Sequence, residues 1–336
     1  MHQRGMTGRE FVVGMAIVLV LGTILGGILL PSRHHNREAA RRASCAGNLK
    51  QFGLIFSMYS DESLGGLFPR TGYYYEPEVD CDAPGYPAVG NAVGVRTSSV
   101  NTRDLFPQYM SDPSPFVCPS GFGNVDWFFN PASGELEVTE LCAQDDRGAK
   151  AAGQNYVYSN YYFGNWAHPD GERDTVNLIE ISELGNLGTS CGIDADTEVN
   201  LMYGLYAYVV EKMMWEDPEG LLNLLNTDID LEVESTQLGL ENEFFEQQDR
   251  KHAYRIRKGL ERFLITDING PPPEPISTVP VMYDSIEYYP QILSFNHVPG
   301  GSNILFNDGH VEFVRYPGRF PVTHGAAAIE GGCFVD

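Results

Sequence analysis

Basic residues are scarce in this chain. It carries 22 Lys and Arg against 45 Asp and Glu, a formal net charge of -23. Phosphate backbones are held by clustered cations that displace counterions, so this balance excludes nucleic acid as a partner. The six cysteines, Cys45, Cys81, Cys118, Cys142, Cys191 and Cys333, contain no Cys-x-x-Cys pair and no Cys-x-x-Cys-His signature. Zinc ribbons and covalent c-type haem are thereby excluded. Also missing are a phosphate loop, a dinucleotide fingerprint and a His-Glu-x-x-His motif. The sequence is therefore not expected to encode an enzyme, and no cofactor is expected.

What is present starts at the N-terminus with "RGMTGREFVVGMAIVLVLGTILGGILLP". Phe11 to Leu30 carry no charge, and twenty residues of helix span about 30 Å, the thickness of a hydrocarbon core. A membrane span over 6–30 is expected. A cleaved secretory signal has a shorter apolar region and a small-residue cleavage site, and "GGILLPSRHH" has no Ala-x-Ala pattern. Glu10, at the lip of that run, is costly in lipid unless it is paired.

A short basic leader ending in Gly5, a residue that becomes the new N-terminus (Met6) and a glutamate fifth from the cut (Glu10) resemble the bacterial type IV pilins and type II secretion pseudopilins. The resemblance implies cleavage between Gly5 and Met6 by a prepilin peptidase, and methylation of Met6. It also implies pairing of Glu10 with the Met6 amine of a neighbouring subunit as the helix enters a filament. Gly8 and Arg9 depart from the apolar residues usual there. Arg33, Arg37, Arg41 and Arg42 fall on the side that this family exports, against the positive-inside rule.

Beyond the apolar run, Ala39, Ala40, Ala43, Leu49, Phe52, Ile55, Phe56 and Tyr59 recur at helical spacing. This predicts an amphipathic continuation over 31–64, loosened at Pro31 and ended near Gly65, Gly66 and Pro69. Cys45, Asn48, Leu49, Lys50, Gln51, Tyr59, Phe68 and Pro69 resemble the pattern of large pilin-like proteins with a DUF1559-type head. "FVCPSG", around Cys118, is similar to the Cys-Pro-Ser of such heads. From that likeness a Cys45–Cys118 bridge would tie helix to head, although six cysteines allow fifteen pairings. All six are disulfide candidates, and buried free thiols are the alternative.

The remainder, 65–336, reads as a globular α+β head. "NYVYSNYYFGNW" alternates aromatic and small residues and predicts one or two core-facing strands, with a stacking surface as the rarer use of such aromatics. Residues 202–248 are acidic and predict a solvated face. Within them Asp228, Asp230, Glu232 and Glu234 offer oxygens to calcium, but in no EF-hand register. "HAYRIRKGLERFLITDING" sets Ile256, Leu260, Phe263 and Leu264 on one helical stripe. Near the C-terminus, Asn303 to Phe306 and His310 to Val314 predict two strands joined by Asn307-Asp308-Gly309, with Gly309 supplying positive φ. His297 ahead of Asp308 and Gly309 resembles the C-terminal motif of the same family. His297, Asp308 and His310 could ligate a metal or act as an acid–base set. The simpler reading gives Asp308 to the turn and lets His297 hydrogen bond the loop.

Together these features predict a pilin-like α+β fold, with a long N-terminal helix packed on an antiparallel sheet and extra helices and loops around it. The expected protein is a single-pass inner-membrane precursor that meets inner-membrane assembly machinery. It then becomes a structural subunit of a homo-oligomeric extracellular or periplasmic filament serving attachment or secretion. The alternative is an anchored minor pilin or binding module whose acidic, Tyr-rich head holds a ligand, calcium or a secreted cargo.

Overall fold

Of the helical stripe read from the sequence, Leu49, Phe52, Ile55 and Phe56 are buried, whereas Ala39, Ala40 and Ala43 are exposed. The computed structural model describes residues 8–143, 146–163, 175–177, 193, 197–237, 252–264, 275–289, 292–298 and 300–333. Helix α1 (Gly8–Glu62) continues through Pro31 and stops before Gly65 and Gly66, both of which take positive φ. Cys45, Leu49, Phe52, Phe56 and Ser60 are buried on one face, while Leu54 and Met58 on the other are exposed.

The head is α+β with antiparallel strand pairing. A long hairpin, β1 (Thr71–Val79) and β2 (Ala88–Val100), follows α1. Next come β3 (Tyr156–Tyr158) and β4 (Tyr161–Tyr162), the two strands expected from the aromatic stretch. Strands β5 (Thr175–Asn177) and β6 (Glu198–Asn200) pair with each other. Strand β7 (Ile229–Asp230) and β4 flank β8 (His252–Arg255). The central sheet adds β9 (Pro280–Asp284), and a second hairpin is formed by β10 (Ile286–Tyr289) and β11 (Ile292–Phe295). Last are β12 (Gly301–Phe306) and β13 (Val311–Arg315), and the central order is β13-β12-β9-β3.

Helix α1 lies on this central sheet. A Cβ placed on Gly53 would sit 3.0 Å from a Leu305 methyl of β12, so glycine allows the close approach. Phe52 meets Phe116 edge-on at 4.8 Å between centroids, and Phe56 meets Tyr158 at 5.1 Å. Asn48 anchors the same face, donating to Val117 O at 3.0 Å and to the Tyr156 hydroxyl at 3.2 Å. The turn of the β12–β13 hairpin is as expected, with Gly309 at φ 87°.

Three expectations are corrected. Among the described residues no helix is long and apolar enough to cross a membrane. The membrane-spanning segment, the pilin-like fold built on it, and the single-pass inner-membrane placement, with the extracellular or periplasmic location that followed from it, are withdrawn on this finding. The acidic stretch does not begin as a solvated face. Leu201 to Val210 of the helix Leu201–Glu216 are buried throughout, and the charges come only afterwards. The stripe over 252–264 is not one helix either: it opens as β8, turns at Gly259 with φ 69°, and is helical only over Glu261–Leu264. The aromatic stretch faces the core as expected: Tyr156, Tyr158, Tyr161 and Tyr162 are buried, together with Tyr73, Tyr74 and Tyr283.

Candidate functional site

Where α1 crosses the central sheet, polar and sulfur-containing side chains converge in an otherwise apolar region. Strand β9 is buried along its length and ends on Asp284, which is fully buried. Across the sheet, the Asn303 backbone amide donates to Asp284 Oδ2 at 2.7 Å and its side-chain amide donates to the same oxygen at 2.6 Å. His297, which precedes β12, inserts its ring between this carboxylate and the helix. Its Nε2 lies 3.1 Å from Asp284 Oδ2, and its Nδ1 lies 2.9 Å from Oε1 of Glu38 on α1. Ser120 also donates to Glu38, at 3.2 Å.

Burial is the largest influence on His297 and works against its charged form. The hydrogen bonds and charges of Asp284 and Glu38 together overcome it, so the imidazole is raised above its ordinary value and favours the doubly protonated state. In that state both ring nitrogens donate to a carboxylate. The ring also lies edge-on to Phe313, over which the Arg42 guanidinium stacks at 4.9 Å.

A disulfide joins Cys45 of α1 to Cys118 beside this cluster, with Cα atoms 5.2 Å apart, one of the fifteen pairings left open by the sequence. Cys118 Sγ is 3.8 Å from His297 Nε2. A second bridge joins Cys81 and Cys142. The side chains of Cys191 and Cys333 lie outside the described residues.

The other residues singled out in the sequence are placed as follows. Gly5, Met6 and the Glu10 side chain lie outside the described residues. His297 and Asp308 do not meet: Asp308 accepts from the His310 amide at 3.1 Å and contacts its ring at 2.5 Å, within the exposed turn. The acid–base set is therefore divided between two places. Asp228 pairs with Arg257 and accepts from the Arg255 amide. Asp230 accepts from the Val233 amide at 3.2 Å and faces His252 at 3.3 Å. These acids serve turns and ion pairs.

Glu38, Asp284 and Asn303 escaped the sequence reading. The one signal available was Asp284 itself, an acid closing the apolar run "VPVMYD". A buried carboxylate must be paired, and that requirement marks it.

Burial also shifts Glu330, in the C-terminal helix His324–Cys333. Desolvation pushes it up to about 7, tempered by the Arg96 charge and a hydrogen bond from Ser98. The Tyr203 and Tyr283 hydroxyls both donate to it.

Compared with protein-family models, with curated proteins and with solved structures, the chain finds no match in any of the three.

Proposed function

We propose that this chain is a structural subunit that assembles with copies of itself through the N-terminal part of α1, in a filament of the type IV pilus or pseudopilus kind. One observation carries the reading. The C-terminal part of the helix is built into the head, whereas Phe11, Val12, Val13, Met15, Ile17, Val18, Leu19, Val20, Leu21 and Ile24 are between 53% and 69% exposed. Single chains rarely leave so large a contiguous apolar surface bare. Covering one such side chain is worth about 1.5–3 kcal/mol, so the total is ample to drive association.

A second copy of the same helix suits this surface. Gly14 and Gly22 have open space around them, which lets two helices approach closely. The leader-like sequence supports the same reading, with a prepilin peptidase cutting between Gly5 and Met6 and Glu10 pairing with a neighbour's new amine. A ligand-binding head has less behind it, since Tyr73, Tyr74, Tyr156, Tyr158, Tyr161, Tyr162 and Tyr283 face inward.

N-terminal peptide mass spectrometry on the native protein tests the processing. A chain beginning at Met6, methylated or not, is expected, and an intact Met1 contradicts it. Glu10→Ala is expected to leave the head folded while stopping incorporation into assemblies. Normal incorporation of that variant removes Glu10 from the account.

A further inference from the structure

The Cys45–Cys118 bridge and the His297–Asp284 pair occupy one buried spot. One donor atom from each of Cys45, Cys118, Asp284 and His297 lies within 4.8 Å of all the others, and all four residues are buried. A tetrahedral zinc ion with bonds of about 2.0–2.3 Å keeps its ligands roughly 3.3–3.8 Å apart. The 3.8 Å from Cys118 Sγ to His297 Nε2 and the 3.1 Å from Nε2 to Asp284 Oδ2 are already close to those edges.

Two further features point to a ligand. Among the described residues, Asp284 Oδ1 is buried with no hydrogen-bond donor, a costly state for a carboxylate oxygen. Glu38 holds His297 Nδ1, and a carboxylate on that nitrogen is what orients Nε2 toward a metal in zinc–histidine sites. Two thiolates, an imidazole and a carboxylate form a borderline-soft donor set suited to Zn²⁺.

We infer that the Cys45–Cys118 disulfide covers a latent zinc site, opened by a dithiol reductant and then occupied by one Zn²⁺ held by Cys45, Cys118, His297 Nε2 and Asp284. In the exchange, the dithiol loses two electrons and two protons as it becomes a disulfide, and Cys45 and Cys118 gain them as two thiols. Zinc then displaces both thiol protons and the Nε2 proton to solvent, taking the position that this proton holds between His297 and Asp284 in the oxidised protein. The inference is independent of the filament proposal.

The test uses the full chain, reduced with a phosphine, freed of reductant without air and titrated with Co²⁺ as a coloured probe. One equivalent is expected to give the visible bands of a tetrahedral ion together with thiolate-to-cobalt charge transfer, both bleached by Zn²⁺. The oxidised chain is expected to show neither. Cys81, Glu137 and Cys142 also lie close together, so they supply the control: Cys81→Ser with Cys142→Ser is expected to keep the signal, and Cys45→Ser with Cys118→Ser to lose it. Glu38→Gln, which leaves all four ligands in place, is expected to weaken binding about 10–100-fold. A reduced chain that shows no cobalt bands, whether folded or unfolded by circular dichroism, overturns the inference. So does a signal that survives loss of Cys45 and Cys118.

Discussion

His297 and Glu38 stand 259 positions apart in the chain and 2.9 Å apart in space, so one ion pair joins the last third of the head to the N-terminal helix. His297 is raised on folding, so the folded protein holds its proton more tightly than the unfolded chain does. The resulting stabilisation is present in full below the unfolded value near 6.5, and is lost as pH climbs through the raised value. His297→Gln is therefore expected to cost the most at mildly acidic pH, about 3 kcal/mol for a broken buried pair, with the difference shrinking as pH rises. Urea unfolding of both proteins across that range checks the trend.

Glu330 acts in the same direction, over a more acidic range. Its folded value of about 7 lies above the ordinary 4.5, so the folded state binds more protons in between and stability falls as pH rises from about 4.5 to 7. The full effect is roughly 3 kcal/mol. Glu330→Gln is expected to flatten that part of the stability curve and to be the more stable protein at pH 8. An unchanged slope shows that Glu330 is not the group responsible.

The Cys45–Cys118 bridge closes a loop of 73 residues. In the chain-entropy view, removing it costs about 4 kcal/mol. Cys45→Ser with Cys118→Ser is expected to move the denaturation midpoint accordingly, measured against the oxidised parent.

Neighbouring positions on α1 give a sharper contrast. Phe52 is fully buried against Phe116 and Tyr156, so Phe52→Ala is expected to cost about 3–5 kcal/mol. Leu54→Ala, at a side chain 68% exposed, is expected to stay within about 0.5 kcal/mol. Paired thermal melts decide whether this face of the helix is docked.

Local rules made much of the scaffold readable. The three- and four-residue spacing of Leu49, Phe52 and Phe56 marks the docked face, although the alanines read as part of the same stripe are exposed, and Asn307-Asp308-Gly309 marks the hairpin because the turn needs a residue free to take positive φ. The buried helix at Leu201 was hidden by averaging over an acidic window, although "LMYGLYAYVV" is apolar on every side, the pattern of a fully enclosed helix. The site was harder. Glu38, Cys118, Asp284, His297 and Asn303 sit on separate elements, and no periodicity within any one of them reports the others. His297 was noticed, but its motif partner Asp308 belongs to the exposed turn, and its real partners arrive through the tertiary fold.

Assembly through the exposed part of α1 is tested most directly by negative-stain electron microscopy with sedimentation velocity, on the chain beginning at Met6 and on its Val18→Asp, Leu21→Asp variant. Both side chains are more than half exposed and lie far along the helix from its docked face. The account predicts ordered filaments of uniform width for the parent, and single chains with an unchanged circular dichroism spectrum for the variant. A parent that remains a single chain, or filaments that survive both aspartates, would contradict it.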